Sequence, residues 1–395
     1  MELMEGYKKT EAGVIPDDWK SEKIGQSLKI CHGRNQREVE SINGEYPILG
    51  TGGEIGKSTT PLYSKPSVLI GRKGTIDVPR FIETPFWTVD TLFYSEVFSN
   101  SIPKYLYYQF CMIDWYSYNE ASGVPSLNAR TIEKIEIPKP PTIAEQQVIA
   151  ETLSDADALI ESLEKLIEKK RQIKQGAMQE LLTGKKRLPG FSGEWVEKLL
   201  NSVTWFQEGP GVRTSQFTSS GIKLLNGTNI YNGVLHLDST SRYISEKEAY
   251  GAYAHFMAEA GDIVIASSGI TIDKFDQKVA FVRNDNLPFC MNTSTIRFKP
   301  YSKINPNFLY HYLKSSHFKD QIGGQATGSA QLNFGPSHLD KILIDLPDTD
   351  EQIAIAEILS DLDAELQSLE EKLTKARQLK QGMMQALLTG KIRLV

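Results

Sequence analysis

The sequence predicts an α+β protein. Two mixed α/β blocks are connected by two long helices that pair as a coiled coil, and the whole is a pseudo-twofold internal repeat. Three observations predict it. A stretch of 44 residues occurs twice. Each copy carries apolar residues at helical heptad spacing, and the segments outside the copies echo one another loosely.

The first copy, residues 145–188, begins EQQVIAETLSDADALIESLEK and ends RQIKQGAMQELLTGKKRL. The second, residues 351–394, begins EQIAIAEILSDLDAELQSLEE and ends RQLKQGMMQALLTGKIRL. They align without a gap at an offset of 206, and 28 of the 44 paired positions are identical. Apolar residues fall at Ile149, Leu153, Ala156, Ile160, Leu163 and Ile167, and again at Ile355, Leu359, Leu362, Leu366, Leu369 and Leu373. Alternating steps of four and three make a narrow seam of the coiled-coil kind. A helix of about 38 residues at about 1.5 Å each is roughly 55 Å long. With one apolar seam it needs a partner. Separate packing of each helix on its neighbouring block would also bury the seam, but the matched registers favour self-pairing.

The ends of each copy carry helix signals. Thr142 with Glu145, and Asp348 with Glu351, have capping-box spacing. Pro140, Pro141 and Pro347 lie just upstream, where they disturb no helical hydrogen bond. Gly184 and Gly390 follow Leu-Leu-Thr and suit a C-terminal cap.

Between the copies lie two blocks, so the predicted divisions are 1–143, 144–188, 189–349 and 350–395. Each block opens on a tryptophan, Trp19 or Trp195, and continues as short β-branched runs between Gly-, Ser- and Asn-rich turns. SKPSVLIGRKGTI (from Ser64) parallels EAGDIVIASSGITI (from Glu259), and TPFWTVDTLFY parallels LPFCMNTSTIRF. A short aromatic-rich helix recurs, with Tyr105, Tyr107, Tyr108 and Phe110 matched by Phe308, Tyr310 and Tyr312, mostly expected in the core. A shared Leu-Asn pairs Leu127 and Asn128 with Leu332 and Asn333.

Bulk composition is that of an ordinary globular chain, long enough for two or three domains: 395 residues, 40% hydrophobic and 24% charged. No apolar run approaches the roughly 18 residues that span a bilayer. The N-terminal segment has no apolar signal core, so a cytoplasmic location and no membrane partner are expected. Cys31, Cys111 and Cys290 have no paired spacing and fit reduced thiols. A net charge of −5 argues against an indiscriminate nucleic-acid binder but leaves room for a specific one.

This plan resembles the specificity (S) subunit of type I restriction-modification systems across the whole chain. The resemblance rests on the alternating plan and on the Gln-Gly-x-Met-Gln-x-Leu-Leu-Thr-Gly-Lys endings from Gln175 to Lys185 and Gln381 to Lys391. It implies that each block is a target recognition domain reading one half of a split, asymmetric site in double-stranded DNA. The two long helices would form an antiparallel coiled coil that sets the spacing. Two modification subunits would dock, bringing S-adenosylmethionine to methylate adenine, and restriction subunits using ATP and Mg could join. The chain itself would bind no cofactor or metal and catalyse nothing. Two other classes remain open: a coiled-coil scaffold whose blocks bind proteins, and a self-contained methyltransferase fusion.

Candidate DNA contacts are basic and amide residues in Gly-rich turns, where the backbone can approach a duplex. They are Arg34, Asn35, Gln36, Arg37, Lys57, Arg72 and Lys73 in the first block, and Arg213, Asn226, Asn229, Ser267, Ser268 and Lys274 in the second. Arg72-Lys73 and Ser267-Ser268 occupy equivalent turns. Lys165, Lys169, Lys170, Arg171 and Lys174, with Lys372, Lys375, Arg377 and Lys380, are read first as the favourable end of the helix dipole and as solubility, with contact to DNA phosphates between the half-sites as the alternative.

Other chemistry finds little support. GTGGEIGKS has Thr51 where a phosphate-binding loop requires its first glycine. NPNF, from Asn305, resembles an adenine methyltransferase motif, but position 307 is Asn, and a repeated helix start explains it better. His311 and His317 are expected on one helix, on different faces. Asp155 with Asp157, and Asp361 with Asp363, recur in both copies and are expected to face solvent or a partner.

Overall fold

The duplicated sequence forms two helices of 39 residues each, Ile143–Leu181 and Thr349–Leu387. This is seen in a computed structural model that describes residues 5–323 and 331–394. The chain divides into two units, Met1–Lys165 with Glu371–Val395, and Leu166–Glu370. Each unit therefore holds one half of each long helix.

Within each unit the two halves run antiparallel as a coiled-coil pair. In the first unit, Glu164 meets Arg377, Asp157 meets Lys380 and Glu145 meets Arg393. In the second, Glu370 meets Arg171, Asp363 meets Lys174 and Glu351 meets Arg187. Every one of these pairs maps onto its counterpart by the offset of 206. Of the seam, Ile149, Leu153, Ile167, Ile355, Leu359, Leu366 and Leu369 are buried. Ala156, Ile160, Leu163, Leu362 and Leu373 are half-buried. Each fully buried Leu or Ile contributes about 1.5–3 kcal/mol. The seam does double duty at its ends. Ile149 and Leu153 pack into the core of the first unit with Met384, Leu387 and Leu388. Ile355 and Leu359 pack into the second with Met178, Leu181 and Leu182.

The basic residues correct one expectation. No basic residue lies in the last turn of either helix, and the dipole acts only there. Lys170, Arg171, Lys174, Arg377 and Lys380 instead pair with carboxylates on the other helix. The capping boxes are corrected too. Thr142 and Asp348 accept from the backbone N–H of Glu145 and Glu351, at 3.1 and 2.9 Å. The glutamates do not reciprocate. Both are buried and bind arginine, Arg393 and Arg187 respectively.

Three sheets recur in each unit. A four-stranded antiparallel sheet runs in the order Leu28–His32, Leu92–Val97, Ser67–Gly71, Arg80–Ile82 in the first unit. Its counterpart is Thr204–Glu208, Thr295–Pro300, Ile263–Ala266, Val279–Phe281. A three-stranded sheet with one parallel pairing stands beside each, Leu49 facing Thr88 and Leu224 facing Cys290. A two-stranded ribbon closes each block, Lys20–Lys23 with Glu136–Lys139 and Val196–Leu199 with Leu343–Leu346.

Aromatic helices join blocks to long helices. Tyr105, Tyr108 and Phe110 on Pro103–Met112, and Phe308 and Tyr312 on Pro306–Lys314, are fully buried. Buried Gln146 accepts from Ile102 N–H at 3.0 Å, and its counterpart Gln352 from Asn305 N–H at 2.8 Å. Asp157 and Asp363, half-buried, face inward rather than to solvent alone. Asp157 accepts from the Tyr108 hydroxyl at 2.7 Å, and Asp363 lies beside His311 and Lys314. Gly184 and Gly390 end the helices at φ +67° and +71°, and a β-carbon there would press on Trp195 or on Pro16 and Trp19. A side chain is excluded on both counts.

Candidate nucleic-acid interface

The strand register aligns the two blocks residue by residue. Phe93 faces His32 and Ile70, while Ile296 faces Glu208 and Ile265. His32 and Glu208 therefore end equivalent strands. The next residue is glycine in both, and a β-carbon would fall 2.0 Å from the Val89 carbonyl oxygen at Gly33 or 2.3 Å from that of Asn292 at Gly209. The chain can pass so close to its neighbour only without a side chain. Across the gap, Arg72 N–H donates to the Thr91 carbonyl at 2.8 Å, and Ser267 N–H to that of Ser294 at 2.9 Å. The Arg72 carbonyl accepts from Leu127 N–H and the Ser267 carbonyl from Phe334 N–H, both at 2.9 Å.

One frame thus carries two chemistries. In the first unit its rim holds His32, Arg72 and Lys73, an imidazole beside two cations. In the second it holds Glu208, Ser267 and Ser268. There it borders a cleft of about 410 Å³, lined also by Thr293, Ser294, Asn333 and His338. An adjoining recess of about 320 Å³ shares Ser268 and Ser294 and adds Asn226, Thr228 and Arg242. Burial raises the Glu208 carboxyl above the ordinary carboxylate range.

A family model for the type I restriction modification DNA specificity domain matches residues 16–175 and 192–378. The chain belongs to this family. The type I restriction enzyme MjaVIII specificity subunit of Methanocaldococcus jannaschii is 27% identical over 425 residues, covering 98% of this chain and 96% of the relative. The putative MjaX specificity subunit of the same organism is 24% identical, with 98% and 97% covered. The S subunit of a type I restriction-modification system from M. genitalium shares the fold at TM-score 0.65 and 16% identity, covering 98% of both chains. A chain from a structure on complex assembly and conformational transition of the type I R-M system does so at TM-score 0.56 and 13% identity, covering 96% of this chain and 99% of that one.

In the first specificity domain, Arg34, Asn35, Gln36 and Arg37 leave the frame directly after Gly33. Trp87 Nε1 donates to the Arg34 carbonyl at 2.9 Å, and Asn35 Oδ1 accepts from Arg37 N–H at 3.0 Å, so the loop is braced from within. Arg34, Asn35, Arg37, Lys57 and Lys73 are exposed and Arg72 half-buried. Lys57 sits on strand Gly53–Ser58, paired with Glu54 at 3.2 Å. GTGGEIGKS is thus a hairpin, and no helix follows it.

In the second domain, Arg213, Ser268 and Lys274 are exposed, and Asn226 is half-buried in the recess. Asn229 and Ser267 are buried. Asn229 spends its amide inside the turn, accepting from Asn226 N–H and donating to Ser239 Oγ, both at 3.0 Å. The shared Leu-Asn is displaced by two residues. Leu127 matches Phe334 in hydrogen bonding, and Asn128 caps helix Ala129–Lys134. Asn333 instead accepts from Ser268 Oγ and Gly269 N–H, at 3.0 and 2.9 Å. Residues 324–330, just before the second Leu-Asn, lie outside the described residues.

NPNF is a helix start. Asn305 Oδ1 accepts from Asn307 and Phe308 N–H at 2.9 and 3.1 Å. His311 and His317 lie on two helices, Pro306–Lys314 and Ser316–Gly323, so the single-helix expectation is corrected. Sequence reasoning passed over His32, Glu208 and Arg242. The available signal was the His-Gly of CHGR beside the Glu-Gly of QEGP, each closing the second strand after the opening tryptophan of its block. No helix among the described residues is long and apolar enough to cross a membrane.

Proposed function

We propose that this chain is the DNA-reading subunit of a type I restriction-modification complex. Each unit reads one half of an asymmetric bipartite site. Two modification subunits dock on the chain and carry S-adenosylmethionine to adenine. Restriction subunits with ATP and Mg are a further addition, and the chemistry belongs to the partners. The observation that carries the reading is the frame built twice with unlike side chains. Strand ends and tight glycines recur, while His32, Arg72 and Lys73 in one unit replace Glu208, Ser267 and Ser268 in the other. Equal frames with different hydrogen-bonding groups suit two half-sites of different sequence. The repeated helices, in contrast, keep their ion pairs, as expected of a spacer and of surfaces that meet the same partner twice.

The test is selection of bound duplexes from a random library by the chain with its modification partner. Two unlike fixed segments separated by unspecified bases are expected. Inserting seven residues at matched points of both long helices keeps the seam in register and adds about 10 Å. The gap should then grow by about three base pairs. One contiguous or palindromic site, or a gap unmoved by the insertion, would refute this reading. Failure to enrich any duplex would favour the protein-binding scaffold.

A further inference from the structure

The carboxylate of Glu208 is out of place on a surface meant for DNA. It ends strand Thr204–Glu208 at the mouth of the 410 Å³ cleft and is half-buried. Among the described residues it has no ion pair and no hydrogen-bond partner. Its Oε2 lies across Gly335, where a β-carbon would stand 3.6 Å away. Around it the cleft offers Ser268, Ser294, Asn333 and the His338 imidazole, whose Nδ1 already accepts from Gly335 N–H, and no lysine or arginine. Its partly buried setting raises its pKa by desolvation.

A duplex presents few donors to such a group. In the major groove they are the exocyclic amino groups of cytosine N4 and adenine N6. Adenine sets the N7 acceptor beside its amino group, which repels a second carboxylate oxygen. Cytosine presents the donor without that acceptor, and glutamate with cytosine N4 is a recognised pairing. At the equivalent strand end of the first unit stands His32, with Arg72 and Lys73 across the frame, so this acceptor belongs to one unit alone.

We infer that Glu208 is a specificity-determining residue, the acceptor by which the second unit selects a cytosine through its N4 amino group. The assignment rests on the DNA-reading function proposed above. Without a matching amino group, the carboxylate faces the phosphate field unpaired and the site is rejected.

The experiment is the same library selection, run with the wild-type complex, E208Q and E208A. Glutamine offers a donor beside an acceptor and fits the N6 and N7 edge of adenine. E208Q should therefore move one position of one half-site from cytosine towards adenine, changing that preference by about tenfold or more. E208A should relax the same position. The other half-site is an internal control for folding and should be retained by both variants. An E208Q profile identical to wild type would overturn the assignment, as would even weakening of every position of that half-site. A wild-type complex that selects no sequence would sink the DNA reading itself.

Discussion

The Arg187 guanidinium closes on the Glu351 carboxylate through two hydrogen bonds, Nε to Oε1 at 2.7 Å and Nη2 to Oε2 at 2.6 Å. The glutamate side chain is wholly buried at the start of the second long helix, and Trp195 Nε1 donates to the same Oε2 at 3.2 Å. Arg187 also donates to the Gly193 carbonyl at 2.7 Å, tying the end of one repeat to the beginning of the other within the second unit. In the first unit Arg393 closes on Glu145 and reaches Asp18 at 3.0 Å. Removing one partner of a buried pair leaves the other charge uncompensated, which costs several kcal/mol. R187M should lower the stability of the second unit, because the wholly buried Glu351 carboxylate loses its counter-charge. R187K should recover less than half, because an ammonium cannot form the planar fork. Urea denaturation followed by tryptophan fluorescence and circular dichroism measures this, and an unmoved midpoint for R187M would contradict it.

The outward pairs should count for far less. Arg171–Glu370 and Arg377–Glu164 are about half exposed at both ends. A double-mutant cycle on either pair should give a coupling of about 0.5 kcal/mol that fades in 1 M salt. A coupling above about 2 kcal/mol in high salt would show a desolvated pair instead.

His311 makes the second unit sensitive to acid. Its ring is buried, and burial pushes its pKa down to about 3, with Lys314 and Lys174 acting the same way and Asp363 opposing them. Its Nε2 lies 3.1 Å from Ser360 Oγ, and Nδ1 has no hydrogen-bond partner. A folded pKa below the unfolded value of about 6.5 means that the unfolded chain binds the proton first. Stability from this group is therefore full above about 6.5 and falls as pH drops towards about 3. The slope is at most about 1.4 kcal/mol per pH unit. Between pH 6.5 and 5, before most carboxylates titrate, wild type should lose stability more steeply than H311N. Parallel pH profiles for the two proteins would rule out the imidazole as the cause.

Lys73 stands exposed in the turn of the first unit that corresponds to Ser268 in the second. If it meets a phosphate, K73A should weaken binding evenly across sequences and reduce the slope of log K against log salt by about one. A loss confined to one base position would mark it as a base contact, and an unchanged slope would remove it from the interface.

Much of this protein was written locally in the chain. A gapless duplication and an apolar seam are periodic features, and each residue of the seam predicts the next. The two long helices, their closing glycines and their pairing with each other could therefore be read without coordinates, while the antiparallel sense came from the family resemblance. The strand and turn of Ser267-Ser268 were legible for the same reason, since hydrophobic runs and glycines lie side by side in sequence. Partnerships across distance were not. Glu145 and Glu351 read as helix caps until Arg393 and Arg187 arrived from the far ends of the repeats. Leu-Asn read as a shared motif, yet hydrogen bonding shifts it by two residues. The cleft around Glu208 draws on residues from 208 to 338. They come from separate loops with no common period, so only packing of the sheets could decide that a carboxylate without a partner faces serines and an asparagine.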